Sequence, residues 1–260
     1  MKRRATARRL LTIPLALGLA WIPAHRCGAQ PSVLAHADAG AAAGLEEADI
    51  LYRHRDDLAS ARRAAELWAA RATVSYDAAW KLARVYYWLG GHDAVDDRRA
   101  ELERGVAAGE AAIRLDPNRP EGHFWTAANM GALAESYGLI QGLKYRGRIK
   151  DELERVIAID PSWQEGSADA ALGQWYFEVP RLFGGSRAKA EEHLRRALAY
   201  DSQSRVALSF LADVLVADGR RDEALRALQQ VVNAPTDPDW IPEDTDLKRK
   251  AEERLKTLGQ

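Results

Sequence analysis

The sequence predicts an all-α protein built from repeated pairs of helices, an α-solenoid. From Leu45 onward apolar residues recur with a helical period, and the alternation typical of β-strands is absent. Three predicted helices end alike, in an apolar stripe followed by Asp and then Pro or Ser, at AIRLDP (112–117), VIAIDP (156–161) and ALAYDS (197–202). Self-similar segments of this kind indicate a repeat architecture in which each unit packs on its neighbours.

The last predicted repeat shows the pattern most clearly, in VALSFLADVLVADGRRDEALRALQQVV (206–232). Apolar residues stripe two helices, Gly219 makes the turn between them, and small residues at Ala212 and Ala224 allow the helices to pack closely. This is the spacing of a tetratricopeptide repeat (TPR), so we predict a TPR-like domain at 45–234. A Pro-rich break and a polar capping helix follow at 235–260.

Three earlier repeats are longer than the ~34 residues of a standard TPR. Their extra residues fall between the first and second helix of each repeat. The sequence therefore predicts elongated connections at 90–103, 136–148 and 178–186, all along one rim. Insertions clustered on one face of a repeat protein usually carry its binding surface.

The third connection contains the segment VPRLFGGS (179–186). Pro180 cannot continue a helix, so the first helix should end near Glu178. Gly184 and Gly185 provide backbone angles that other residues resist, and Ser186 can cap the next helix. We therefore predict a defined turn rather than a loose loop.

The first 29 residues indicate an exported precursor. A basic opening, an apolar run at 10–22 and small residues before Ala29 form the pattern of a cleavable signal peptide. An Ala/Gly-rich flexible linker is predicted at 30–44. We expect a periplasmic or secreted protein. The alternatives are an uncleaved N-terminal anchor and a lipoprotein attached through Cys27, although Arg26 fits an acylation signal poorly.

Charge and cysteine content limit the function classes. Removal of residues 1–29 leaves 31 basic and 38 acidic residues, a net charge of −7, which argues against nucleic acid as the main partner. The cut also removes the only cysteine, so thiol chemistry is excluded. The remaining sequence contains no histidine pair with zinc-ligand spacing and no phosphate-binding glycine loop. We predict neither an enzyme nor a cofactor or metal site.

Aromatic side chains near the predicted connections suggest an apolar cleft with a few polar groups. Tyr76, Trp80, Ala83 and Tyr87 share one predicted core stripe, and other aromatics lie beside such stripes. The predicted apolar lining is Tyr86, Trp88, Trp175, Phe177, Leu182 and Phe183, and the polar groups are Asn129, Gln174 and Glu178. The alternative is that these side chains simply pack the repeats together. The basic segment KYRGRIK (144–150) is either a site for an anionic partner or a solvated helix start.

The segment LGQWYFEVPRLFGGSRAKAEEHLRRAL (172–198), with LERVIAIDPSWQEGSADAA (153–171) before it, resembles the T-component of tripartite ATP-independent periplasmic (TRAP) transporters. The resemblance rests on Leu172, Gly173, Pro180, Leu182, Gly184, Gly185, Ala190 and Leu194. It implies a secreted TPR-like protein, often a lipoprotein. It also implies association with a periplasmic solute-binding protein and the binding of a small apolar ligand.

Two functional hypotheses follow. The first is an exported binding protein of the TRAP T-component type, as the resemblance implies. The second is a generic TPR scaffold that assembles proteins of the cell envelope through their extended segments. Because helical arrays with exposed apolar rims often self-associate, a homo-oligomer is also expected.

Overall fold

The computed structural model describes residues 33–136 and 139–259, and this part contains helices and turns but no β-strand. The α-helices are α1 (Val33–Arg53), α2 (Leu58–Ala69), α3 (Tyr76–His92), α4 (Val95–Leu115), α5 (Pro120–Ser136), α6 (Leu139–Ile159), α7 (Ser167–Glu178), α8 (Arg187–Tyr200), α9 (Arg205–Ala217), α10 (Arg221–Asn233) and α11 (Ile241–Leu258). Two short 3₁₀ turns occur at Trp163–Gly166 and Arg181–Phe183. The all-α prediction is confirmed, and the predicted signal peptide lies outside the described residues.

The helices follow one another as pairs. The residues from Gly40 onward form one compact unit, which contains every helix from α2 to α11. In this unit the first helices of the pairs pack side by side, and they are α3, α5, α7, α9 and α11. The second helices pack against them, and they are α4, α6, α8 and α10. Helix α1 begins at Val33, inside the segment predicted as a flexible linker, because its run of alanines favours helix.

Two of the three predicted elongated connections are wrong. Residues 90–92 still belong to α3, and residues 95–103 and 139–148 form the first turns of the second helices α4 and α6. As a result α4 and α6 have 21 residues each, whereas α8 has 14 and α10 has 13. Seven to eight added residues make about two full helical turns, so the same face of the helix still points to the core. Six of the nine residues at 95–103 are Arg, Glu, Ala or Leu, which favour helix over loop.

The core consists of two main clusters of buried side chains. One joins α1 to α4 around residues such as Trp68, and the other runs from α5 to α11. Ala212 and Ala224 are completely buried, as their predicted packing role requires. The contact between α4 and α5 is equally close, because a Cβ atom on Gly109 would lie 2.2 Å from the hydroxyl of Thr126.

The predicted turn at 178–186 is present. Helix α7 ends at Glu178, and the amide of Ser186 donates a hydrogen bond of 2.8 Å to the carbonyl of Tyr176. Gly184 has a φ of +107°, in the left-handed region that favours glycine. A Cβ atom on Gly185 would lie 1.5 Å from the carbonyl oxygen of Val179. The Ser186 hydroxyl accepts a hydrogen bond from the amide of Lys189, which confirms the predicted cap.

Candidate functional site

The two tryptophans predicted to line a cleft lie inside the helix packing. Trp88 is 5% exposed and its ring N–H donates a hydrogen bond of 2.7 Å to the carbonyl of Arg55. Trp175 is 9% exposed and donates in the same way, at 2.9 Å, to the carbonyl of Arg146. Because each ring is covered and its polar atom is already paired, neither is placed to line an open cleft.

Three further residues of the predicted lining also contribute to packing. Asn129 is fully buried, and its amide donates hydrogen bonds to the carbonyls of Ala83 and Trp125, which ties α5 to α3. Tyr86 and Phe177 are half-buried and pack against the two core clusters. The structure therefore does not bring the predicted aromatic lining together around one cavity.

The remaining predicted residues lie near the end of α7. Leu182 is 87% exposed at the tip of the turn, while Phe183 is half-buried with the guanidinium of Arg146 over its ring at 5.2 Å. The Gln174 amide donates a hydrogen bond of 3.0 Å to the carboxylate of Glu178. Of the predicted set, this polar pair is the part that the structure does bring into contact.

The basic segment 144–150 lies within α6, and two of its four basic residues form ion pairs. Arg148 forms ion pairs with Glu110 at 2.6 Å and with Glu152, and Lys150 pairs with Glu154 at 2.5 Å. These contacts favour the interpretation as a solvated helix face over a free site for an anionic partner.

A row of side chains on the first helices forms the candidate site, which we call the inner face. It consists of one or two residues from each of α3, α5, α7 and α9: Tyr87, Glu135, Gln174, Glu178 and Asp213. Tyr87, predicted to lie in the core, is instead 42% exposed, with its ring 5.7 Å from that of Trp125. The neighbouring residue Trp88 is buried in the core instead. At this end of α3 the predicted core stripe is therefore wrong by one residue.

The inner-face carboxylates influence one another from helix to helix. Partial burial raises the pKa of Glu135, and the charge of Glu178 raises it further. Partial burial likewise raises the pKa of Glu178, with a further increase from Asp213 and an opposing hydrogen bond from Gln174. The pKa of Asp213 is also raised by burial, although Arg254 acts against this increase. These three carboxylates thus form an acidic row, in which Glu135 and Glu178 are exposed and Asp213 is half-buried.

Glu135 and Glu178 form no ion pair with any residue in the described parts of the chain. The charge of Lys250 acts on Glu135 without forming an ion pair, and the charge of Glu178 opposes it, so the two neighbouring carboxylates repel each other at a cost in stability at neutral pH. A basic group from another molecule would relieve this repulsion. The inner face is therefore suited to bind positive charge.

The acidic row gives a prediction about pH. A carboxyl group with a raised pKa in the folded state contributes its full stability below its ordinary pKa and loses that contribution as the pH rises through the raised value. We expect Glu178→Gln to increase the free energy of unfolding at pH 7 by about 0.5 kcal/mol or less, since the side chain is exposed and screened. At a pH of about 3.5, below the ordinary pKa of a glutamate, the gain should vanish.

Thermal unfolding of both proteins at the two pH values measures this effect. Glu192→Gln on α8 is the matched control, because Glu192 is 65% exposed and pairs with Arg196. The control should not gain stability at pH 7. An equal gain in the two variants would contradict the proposed repulsion on the inner face.

A buried arginine joins the first repeat, at the turn between α1 and α2, to the start of α11. Arg55 is 1% exposed and forms an ion pair with Glu243, and its guanidinium also donates to the carbonyl of Asp239 at 2.9 Å. It lies over the rings of Tyr52 and Trp88, at 4.7 and 5.3 Å. Burial disfavours its charge, but the hydrogen bond to Glu243 keeps the pKa of Arg55 above its ordinary value. No local pattern in the sequence points to this contact, because the two residues are 188 positions apart.

Within residues 33–136 and 139–259, no group of three or more His, Cys, Asp or Glu side chains is arranged to hold a metal ion. The same part of the chain has no helix with the length and apolar character needed to cross a bilayer.

Comparison with known proteins identifies a family. Residues 44–191 match the sequence model of regulator of microtubule dynamics protein 1–3, and residues 185–241 match a tetratricopeptide-repeat model. Regulator of microtubule dynamics protein 1 of Caenorhabditis elegans is 26% identical over 127 residues, which are 42% of this chain and 55% of that protein. The chain thus spans about half the length of this curated relative.

A solved structure supports the fold. The crystal structure of a thermophilic TPR protein from Thermus thermophilus has a TM-score of 0.61 to this chain at 22% identity, and the match covers 83% of this chain and 98% of the other. The predicted TPR-like helical array is therefore confirmed.

The resemblance to the TRAP T-component is wrong. The family match at 44–191 includes most of the segment on which the resemblance rested, and it is to a different family. Half of the residues that carried the resemblance were small or apolar repeat positions such as Gly173 and Ala190, which TPR-like proteins of many functions share. A TRAP solute-binding protein consequently loses its support as the partner.

Proposed function

Because this chain belongs to the regulator of microtubule dynamics protein 1–3 family, we propose that it is a scaffold that binds other proteins through its inner face. The observation that carries this proposal is the row of side chains contributed by successive first helices, with two carboxylates that lack an ion-pair partner in the described chain. TPR-like arrays create extended surfaces of this kind by stacking their repeats.

The chemistry of the inner face indicates the kind of segment it binds. Glu135, Glu178 and Asp213 favour Lys and Arg side chains, and the exposed ring of Tyr87 offers an aromatic surface to an apolar or cationic group. We therefore propose that a basic, amphipathic segment of a protein partner binds here. The C. elegans relative is named as a regulator of microtubule dynamics, and we carry over to this chain only the binding of other proteins.

The proposed scaffold performs no catalytic step, since an extended binding row needs no acid, base or nucleophile to act. A cell-envelope location is likewise proposed from the first 29 residues alone. N-terminal sequencing of the protein recovered from fractionated cells tests that location, and a chain that retains residues 1–29 in the cytoplasm would contradict it.

Selection from a displayed library of random peptides, each about four helical turns long, tests the binding function. We expect peptides rich in Lys and Arg to bind the full chain with dissociation constants in the micromolar range. The double variant Glu135→Lys/Glu178→Lys should bind them at least about tenfold more weakly, because it replaces attraction by repulsion.

The matched control places the same charge change on the second helices. Glu192 on α8 and Glu103 on α4 are 65% and 52% exposed, and each forms an ion pair with an arginine of its own helix. Glu103→Lys/Glu192→Lys should retain binding within about twofold. Equal losses in both double variants would show that net charge rather than the inner face determines binding, and the proposal would then fail.

A further inference from the structure

Helix α11 contacts both ends of the repeat array. Its first turn meets the first repeat through the ion pair between Glu243 and Arg55, and Asp246 lies 3.6 Å from the ring of His92 at the end of α3. Its last turn meets the final repeat, where Arg221 donates to the carbonyl of Leu258. A helix that only capped the last repeat would need none of the contacts with α3 or with the α1–α2 turn.

Basic side chains in the middle of α11 approach the inner face. Arg254 forms an ion pair of 2.5 Å with Asp213. Lys250, one helical turn earlier, is the basic group whose charge acts on Glu135. The charge complementarity expected of a partner segment is thus already present between α11 and the inner face.

Apolar burial holds α11 less firmly than the helix beside it. Ala251 is its one buried side chain, with Leu255 and Leu258 partly buried against the core, whereas α9 has six buried apolar residues. Polar contacts supply most of the remaining attachment, including the ion pair between Arg205 and Asp244. An element with little buried apolar surface opens at a lower free energy than the rest of the fold.

We propose that α11 is a strap that closes over the inner face and opens to admit a protein partner. The inference rests on the proposed function, because opening matters only if the inner face binds another protein. Ion pairs at partly exposed groups weaken as salt rises, so the strap should open more often at higher ionic strength. A partner that binds the open form shifts the population toward it.

Charge reversal on α11 loosens the strap without changing the inner face. Lys250→Glu/Arg254→Glu removes the contact with Asp213 and places like charges together. The control is Lys248→Glu/Lys256→Glu, with the same charge change at two exposed residues that have no ion pair within the described part of the chain. Hydrogen exchange in the loosened variant should become at least about tenfold faster in α11. Exchange in α9 serves as the internal reference, since global unfolding would accelerate both helices.

A synthetic peptide of residues 241–258 is the binding probe. Fluorescence anisotropy should show at least about tenfold tighter binding to the loosened variant than to the wild-type chain or the control variant. The same peptide with Lys250→Glu and Arg254→Glu should not bind. The strap proposal would be overturned if hydrogen exchange in α11 were unchanged in the loosened variant. It would also be overturned if the probe bound equally to the loosened and control variants.

The two proposals fail in different ways. If library peptides bind the inner face but neither displace the 241–258 probe nor accelerate exchange in α11, the strap is wrong and the protein-binding function stands. If the strap opens as described but inner-face charge reversal leaves library-peptide binding unchanged, the proposed function is wrong.

Discussion

Replacing Arg55 with methionine is expected to lower the free energy of unfolding by about 3 kcal/mol, because it breaks a buried ion pair by removing one partner. The guanidinium is 1% exposed, and its loss leaves the carboxylate of Glu243 and the carbonyl of Asp239 without their donor. It also removes the cation that lies over two aromatic rings. Urea unfolding followed by circular dichroism measures the loss.

Arg63→Met is the matched control on α2. Arg63 is 54% exposed and forms ion pairs with Glu66 and Glu47 on the surface, so the change should cost less than about 1 kcal/mol. In addition, Arg55→Met should accelerate hydrogen exchange at the start of α11, which Arg63→Met should not. If the two variants were equally stable, the contact of Arg55 with Glu243 and Asp239 would contribute no stability to the fold.

Gly185→Val is expected to destabilise the protein by at least about 4 kcal/mol. The first side-chain atom would overlap the carbonyl oxygen of Val179 at 1.5 Å, and that oxygen belongs to backbone that cannot move without breaking the turn. Thermal unfolding gives the size of the effect, and hydrogen exchange across α7 and α8 gives its location.

Substitutions of two other glycines provide stability changes for comparison. Gly184→Ala should cost about 1–2 kcal/mol, since it introduces left-handed strain but no close contact. Gly147→Ala, in an exposed part of α6 with open space around it, should stabilise the protein by up to about 1 kcal/mol through helix propensity. A Gly185→Val variant with full stability and full binding would show that the turn is only a spacer.

Local signals in the sequence were sufficient to predict the repeats and the turn at 178–186. Pro180, the two glycines and Ser186 act on neighbouring backbone, so their effects are visible without tertiary structure. The two insertions at 90–103 and 136–148 were misplaced because residues that form helix well were counted as connection. Length alone does not distinguish two added helical turns from a loop.

Features that depend on distant parts of the chain could not be predicted. The contact of Arg55 with Glu243 has no local pattern, and the acidic row combines single residues from α5, α7 and α9. The exchange of roles between Tyr87 and Trp88 has a simpler cause. Adjacent positions on a helix differ by about 100° in direction, so an error of one residue moves a ring from the core to the inner face.

The most direct measurement is a hydrogen-exchange footprint of the full chain with a saturating library peptide bound. We expect slower exchange in α3, α5, α7 and α9 around the inner face, together with faster exchange in α11. A footprint confined to the second helices α4, α6, α8 and α10, with α11 unchanged, would contradict the central claim that this protein binds its partners on the inner face.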